Sequence, residues 1–306
     1  MNNSIWSATD IRLDADFTLT KADTHKFAVH FATYRENIWF RQTWDERLAA
    51  IGDDAPCYWI RQNNQRVGGV CLKPNALWAF FVEPPFVDVY LILKRLKAFL
   101  LSVSDSSKPI EAYGILPYQS EHFLRLGFRP TETRRVMIRP TEAFSSATLR
   151  GFSVERPAPH MCEEIAELLH HAYSGLDGIG AASVNTIEEK RKDVAYYFAN
   201  NLSDTLLNAA SVVYDSTRRK MISACLISLW EGLPLVYEIV VLPEYRRKQM
   251  ATTLLKKALT SLERHYDVMR LFVTQGNAAE SVYYHLGFLP GTEQTTFALH
   301  TTLNEP

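Results

Sequence analysis

No stretch of the 306 residues approaches the run of about 20 apolar residues that crosses a bilayer, because charge breaks each apolar segment first. The opening residues, MNNSIWSATDIRLDADF, hold no apolar core of signal-peptide length. These two absences lead us to expect a cytoplasmic protein with no membrane partner. Charge of one sign is also missing: 33 Lys and Arg stand against 34 Asp and Glu, a net charge of -1. Such a balance supplies no field to gather nucleic acid. Cysteine is sparse. Cys57, Cys71, Cys162 and Cys225 are scattered, with no CxxC and no Cys/His cluster at zinc spacing. Reduced, buried thiols and no metal are therefore expected. What is present is core material: 47% hydrophobic and 12% aromatic residues. The length suffices for two ordinary domains or one large one.

An internal repeat favours two. LRLGFRP at Leu124–Pro130 returns as YHLGFLP at Tyr284–Pro290, an offset of 160. The same offset aligns KRLKAFLL (Lys94–Leu101) with LLKKALTS (Leu254–Ser261), and IEAYGIL (Ile110–Leu116) roughly with RLFVTQG (Arg270–Gly276). After each Gly-Phe come a proline and an apolar strand, RRVMI (Arg134–Ile138) and TTFAL (Thr295–Leu299). The polar, small-residue joint RPTEAFSSATLRG reads as a linker. We expect domains at 1–140 and 152–306 with 141–151 between them. Each reads as α/β (α+β): short adjacent strands favour antiparallel pairing, and one strand–helix–strand crossover adds a parallel pair, with helices on both faces.

VLPEYRRKQMATTLLKKAL (Val241–Leu259) begins as a strand, meets a proline, and passes Arg246, Arg247 and Lys248 into a helix starting near Arg247. Cations at a helix N-terminus oppose its dipole unless an anion is bound there. The unpaired first amides of such a helix cradle phosphate oxygens. A solvated basic turn is the bland alternative. Downstream, NAAESVYYHLGF (Asn277–Phe288) reads as a capped helix ended by Gly287 in a left-handed conformation.

The two stretches together resemble the GCN5-related N-acetyltransferase (GNAT) family. Its acyl-CoA loop, [Q/R]-x-x-G-x-[G/A] after a strand, is matched by Arg246 and Ala251, with Gln249 in place of the first glycine. A Cβ there is expected to be tolerated only at negative φ. Its second signature, N-x-A-x-x-x-Y-x-x-x-G-F, is matched by Asn277, Ala279, Tyr283, Gly287 and Phe288. The resemblance implies a tandem GNAT protein, each domain a mixed, mostly antiparallel sheet flanked by helices. It implies acetyl-CoA as co-substrate, bound by Val240, Val241, Arg246, Arg247, Lys248, Gln249, Met250, Ala251, Asn277, Ala279 and Tyr283. The acceptor would be a small-molecule or peptide amine. Val241 is the candidate oxyanion amide, Glu238 the candidate general base and Tyr283 the candidate acid for the thiolate. Alternation along a strand turns Tyr237 away from Glu238 unless a bulge intervenes. Glu231 and the pair His170–His171 are weaker candidates.

In the first half, the matching loop VEPPFVDVYL carries two prolines and two acids. Phe86 stands opposite Arg246, Pro117 opposite Asn277 and Phe123 opposite Tyr283. This domain is read as degenerate and without CoA. The helix TIEEKRKDVAYYFANNL and the loop SGLDGIGAASV are expected over the acceptor cleft. Aromatics Trp39, Phe40, Trp44, Tyr58, Trp59, Trp78, Phe80 and Phe81 are read as core. A non-catalytic CoA-binding sensor or interaction module and an aminoacyl-tRNA-dependent transferase remain alternatives. The net charge argues against the latter.

Overall fold

The computed structural model describes residues 5–38, 43–86, 88–145, 149–174, 185–201, 203–217 and 219–300. The chain forms two compact units, residues 1–135 with 291–306, and residues 136–290.

The first unit begins with β1 (Asp10–Arg12) and β2 (Phe17–Lys21), then α1 (Thr24–Tyr34) and α2 (Trp44–Ala49). An antiparallel meander follows: β3 (Cys57–Gln62), β4 (Gln65–Lys73) and β5 (Ala76–Val82). Asn63 and Asn64, at φ 48° and 66°, make the two-residue turn joining β3 to β4, a conformation asparagine tolerates well. In β4 a Cβ on Gly68 would lie 2.3 Å from the Phe81 carbonyl, so the neighbouring strand excludes any side chain there. Helix α3 (Val89–Val103) crosses to β6 (Ile110–Ile115), parallel to β5, and α4 (Pro117–Arg125) leads into β7 (Arg129–Pro140). Ile92, Leu93, Leu96, Phe99 and Leu100 put one stripe of α3 into the core.

In the second unit β8 (Phe152–Glu155) precedes α5 (Cys162–Tyr173), α6 (Ile187–Asn200) and α7 (Asp204–Ala209). β9 (Ser211–Asp215), β10 (Lys220–Trp230) and β11 (Leu233–Val241) pair antiparallel. Helix α8 (Met250–Leu262) then crosses to β12 (Val268–Thr274), parallel to β11, and α9 (Ala279–His285) leads to β13 (Leu289–Pro290). Met250, Leu254, Leu255, Ala258, Leu259 and Leu262 form the buried stripe of α8. Each fully buried leucine contributes about 1.5–3 kcal/mol.

The repeat is now visible in three dimensions. Both α4 and α9 end in the same motif: Phe128 N donates to Phe123 O (3.1 Å) and Phe288 N to Tyr283 O (3.0 Å). Gly127 and Gly287 supply the left-handed residue at φ 87° and 81°.

The last strand departs from the expected boundaries. β14 (Gln294–Leu299) pairs with β6 and with the Arg129–Arg134 part of β7, all in the first unit. The remainder of β7 belongs to the second unit, where Met137 and Ile138 pair with β13. The units thus exchange their closing strands. The expected domains 1–140 and 152–306 are replaced by divisions after Arg135 and after Pro290. Just before the expected linker, Arg139 is buried in the second unit, donates to Leu286 O and pairs with Glu142. No described helix is long and apolar enough to cross a membrane.

Candidate active site

β11 and β12 pair only at Leu235–Arg270 and Val236–Leu271. Beyond Val236 the strands part, and β11 leaves backbone groups on that side unpaired by β12. Which groups these are follows from the other edge. Leu242 N donates to Ile222 O (2.9 Å), so Leu242 is in a hydrogen-bonded pair with β10. Alternation in an antiparallel ladder then turns Val240 toward β10, and Ile239 and Val241 toward the parted side. Val240 O also accepts from Ser223 Oγ (2.7 Å). Of the two sequence candidates, Val241 therefore presents its amide to the gap, while the polar groups of Val240 are engaged with β10.

The same strand carries a bulge. Leu226 pairs with Glu238 but Ile227 pairs with Val236, which leaves Tyr237 as the extra residue. A bulge was the condition on which Tyr237 and Glu238 could share a face, and β11 has one. Tyr237 Oη donates to Asp193 O (3.1 Å) on α6. Glu238 Oε2 accepts from Tyr173 Oη (2.7 Å) at the end of α5. Burial, with the nearby Asp193 and Glu238 charges, pushes the Tyr237 hydroxyl up to about 12.

After β11, Pro243–Tyr245 make one tight turn, anchored where Tyr245 Oη donates to Asp215 Oδ2 (2.7 Å). Arg246, Arg247, Lys248 and Gln249 are exposed beyond it. Arg246 donates to Val241 O (3.2 Å) and Ala172 O (3.4 Å), and Lys248 Nζ lies 4.9 Å from the Tyr245 ring centroid. The helix begins at Met250 and not near Arg247, so all three cations precede it. Gln249 is its N-cap residue, at φ 56° and ψ 18°, and makes no side-chain cap. The expectation of negative φ is thereby overturned. Arg247 is left-handed as well, at φ 62°. Left-handed geometry costs roughly 1–2 kcal/mol for a residue with a Cβ. The loop therefore holds the backbone shape that the missing glycine would favour. Among the described residues, the amides of Met250, Ala251 and Thr252 have no backbone or side-chain acceptor. The Met250 side chain is buried and Ala251 is half-buried.

Asn277 lies one residue before the α9 N-cap Ala278: its Oδ1 accepts from Ala279 N (2.9 Å) and its carbonyl from Glu280 N (2.9 Å). Ala279 is half-buried against the core. One turn on, Tyr283 is buried. Burial first, then Cys225 and Glu238, raise its hydroxyl pKa above the usual tyrosine range.

Sequence reasoning missed Tyr173, which holds Glu238, and Lys190, which is 3% exposed. Lys190 Nζ lies 3.4 Å from Asp193 Oδ2 and 5.2 Å from the Tyr173 ring centroid. Neither sits in a motif, and only the tertiary packing of α5 on α6 reveals them. The weaker candidates lie elsewhere: Glu231 is in the β10–β11 turn beside Arg270 (3.9 Å), and His170 and His171 are half-buried and exposed respectively. Residues 175–184 of the expected overhanging loop lie outside the described residues, as do Trp39 and Phe40. Tyr58, Trp59, Phe80 and Phe81 are core, Trp78 is half-buried, and Trp44 is 47% exposed.

The corresponding places in the first unit are closed. β5 and β6 likewise pair only at Ala76–Glu111 and Leu77–Ala112. The gap beyond is bridged by Arg35, which donates to Phe80 O (3.3 Å) and to Gly114 O. Burial lowers this guanidinium to about 10. The N-terminus of α3 is capped by Asp88, whose Oδ1 accepts from Leu91 N (2.9 Å). A carboxylate already occupies the position of an anion.

Residues 208–299 match the family model described as an acetyltransferase (GNAT) domain. No curated protein matches the sequence. Among solved structures, the chain is similar to a GCN5-related N-acetyltransferase from Sphaerobacter thermophilus (TM-score 0.67, 14% identity, 95% of this chain and 97% of that one). It is similar to a tandem GNAT protein from the clavulanic acid biosynthesis pathway (0.58, 11%, 95% and 100%). It also resembles a GCN5-related glucosamine N-acetyltransferase region of a fungal multi-domain GH3 β-N-acetylglucosaminidase (0.62, 10%, 94% and 38%). At these identities the likeness speaks for the fold alone.

Proposed function

We propose that the chain is an acetyl-CoA-dependent N-acetyltransferase, a reading supported by the match of residues 208–299 to the GNAT domain model and by the likeness of the fold to solved GNAT proteins. Its acceptor is a primary amine, in a small molecule or a peptide, and the second unit alone is active. The observation that carries this is the set of unengaged amides at Met250–Thr252, preceded by Arg246, Arg247 and Lys248. Three N–H donors with the positive end of a helix dipole and mobile cations suit a diphosphate. In this reading the Val241 amide polarises the thioester carbonyl. Glu238, fixed by Tyr173, takes the ammonium proton directly or through a water. Tyr283 keeps its own proton across the working pH range and gives it to the departing thiolate. Attack is direct, within a ternary complex. Asn277 and Ala279 flank the pantetheine arm. The reading of a non-catalytic CoA sensor drew on Gln249, and the left-handed N-cap geometry removes that support.

The test is thiol release from acetyl-CoA over a panel of amines. Turnover that falls in Glu238→Gln and Tyr283→Phe, with acetyl-CoA binding retained, supports the reading. Wild-type binding without turnover on any amine counts against it.

A further inference from the structure

We propose that Cys57 and Cys71 form a reversible disulfide between β3 and β4, making the core of the first unit a site of two-electron thiol oxidation. Both thiols are reduced and buried, with Sγ atoms 3.2 Å apart. Their place in the ladder is what makes the bond possible. Cys57 is directly opposite Cys71. Leu72 N donates to Pro56 O (3.0 Å), which makes the adjacent pair the hydrogen-bonded one and Cys57–Cys71 the narrow, non-hydrogen-bonded one. The Cys57 carbonyl accordingly turns the other way and accepts from Ala22 N (2.8 Å). Cα atoms in such a pair lie about 4.5 Å apart, inside the roughly 4.4–6.8 Å range of disulfides. The bond therefore forms without moving either strand. Both cysteines belong to one buried cluster with Phe27, Trp59 and Phe81.

The oxidant is a small peroxide, of a size to reach the buried pair when the core opens. The Cys57 or Cys71 thiolate attacks one peroxide oxygen, giving a sulfenic acid and hydroxide. The second thiol then displaces that hydroxyl as water, and the sulfur–sulfur bond closes. In sum, two thiols and one hydrogen peroxide give one disulfide and two waters. The hydrogen bond shared with Cys57 and burial both hold the Cys71 thiol far above the usual thiol range. A scarce thiolate makes the step slow, so the pair acts as a slow staple and not a fast sensor.

The test treats the full reduced chain with hydrogen peroxide, quenches with catalase, then unfolds and labels it with N-ethylmaleimide. We expect peptides of Cys57 and Cys71 to be linked, two hydrogens lighter, unlabelled together, and released by dithiothreitol. The same labelling after refolding in an oxidising glutathione buffer removes access as the deciding factor. A Cys57–Cys71 link in either arm supports the proposal. Separate labelling of both cysteines in both arms, or links only to Cys162 or Cys225, overturns it. Cys71→Ser must lose the link and leave Cys57 labelled.

Discussion

At the scale of the residue, Gln249 is the most informative departure. Sequence alone sets its Cβ against the backbone shape that a phosphate loop needs, and predicts a compromise in φ. The chain instead accepts the left-handed conformation at both Arg247 and Gln249. Replacing Gln249 with glycine should relieve that cost, less the greater entropy glycine loses on folding. We expect Gln249→Gly to gain about 0.5–1 kcal/mol in denaturant unfolding and to bind acetyl-CoA at least as tightly. Gln249→Val should lose stability, since a branched side chain tolerates this region worst. Tyr283→Phe removes one buried hydroxyl from a ring that packs at 6.1 Å on Phe288. We expect it to fold normally and to lower kcat by about 100-fold, the scale of one general acid. Tyr237 and Tyr283 also set a pH limit. Their pKa values are raised in the folded state, so the folded chain holds these protons more tightly than the unfolded chain. Their stabilising effect is complete below pH 10 and is lost as pH rises toward 12. Unfolding monitored by tyrosinate absorbance should therefore become easier across that window and not below it.

Between elements, the contrast of α8 with α3 separates the two units. Both follow a strand and both bury a leucine-rich stripe. One N-terminus is capped by the Asp88 carboxylate and the other by no side chain. Asp88→Ala should cost about 1 kcal/mol in unfolding, the usual worth of such a cap. The sequence showed this contrast directly, because Phe86 and Asp88 stand where Arg246 and Lys248 do at the 160-residue offset. It did not show the plug. Arg35 comes from the end of α1, far from any motif, and fills the β5–β6 gap only because the fold brings it there. The bulge at Tyr237 was equally hidden. A strand pattern read at period two has no mark for an extra residue, so Tyr173 and the true orientation of Glu238 emerged only with coordinates.

For the whole molecule, the 160-residue offset announced a duplicated fold, and the matched Schellman turns at Gly127 and Gly287 bear out the correspondence. What the repeat could not show is the exchange of closing strands. RRVMI and TTFAL occupy equivalent places in the sequence, and hydrophobic pattern alone assigns each to its own half. The pairing of β14 with β6 instead gives the first unit a strand from the end of the chain. Removing residues 291–306 should therefore expose the edge of β6 and destabilise the first unit, although the deleted residues follow the second in sequence. Hydrogen exchange should show lost protection in Ile110–Ile115. The central claim, that one open helix terminus per chain grips the diphosphate of acetyl-CoA, is tested most directly by isothermal titration of acetyl-CoA into the wild type and Gln249→Asp. The variant places a carboxylate at the mouth of α8, as Asp88 does in α3, and aspartate tolerates the left-handed region. The account predicts one site per chain in the wild type and at least a 10-fold weaker site in the variant. Two sites per chain, no binding, or equal affinity for the two proteins would contradict it.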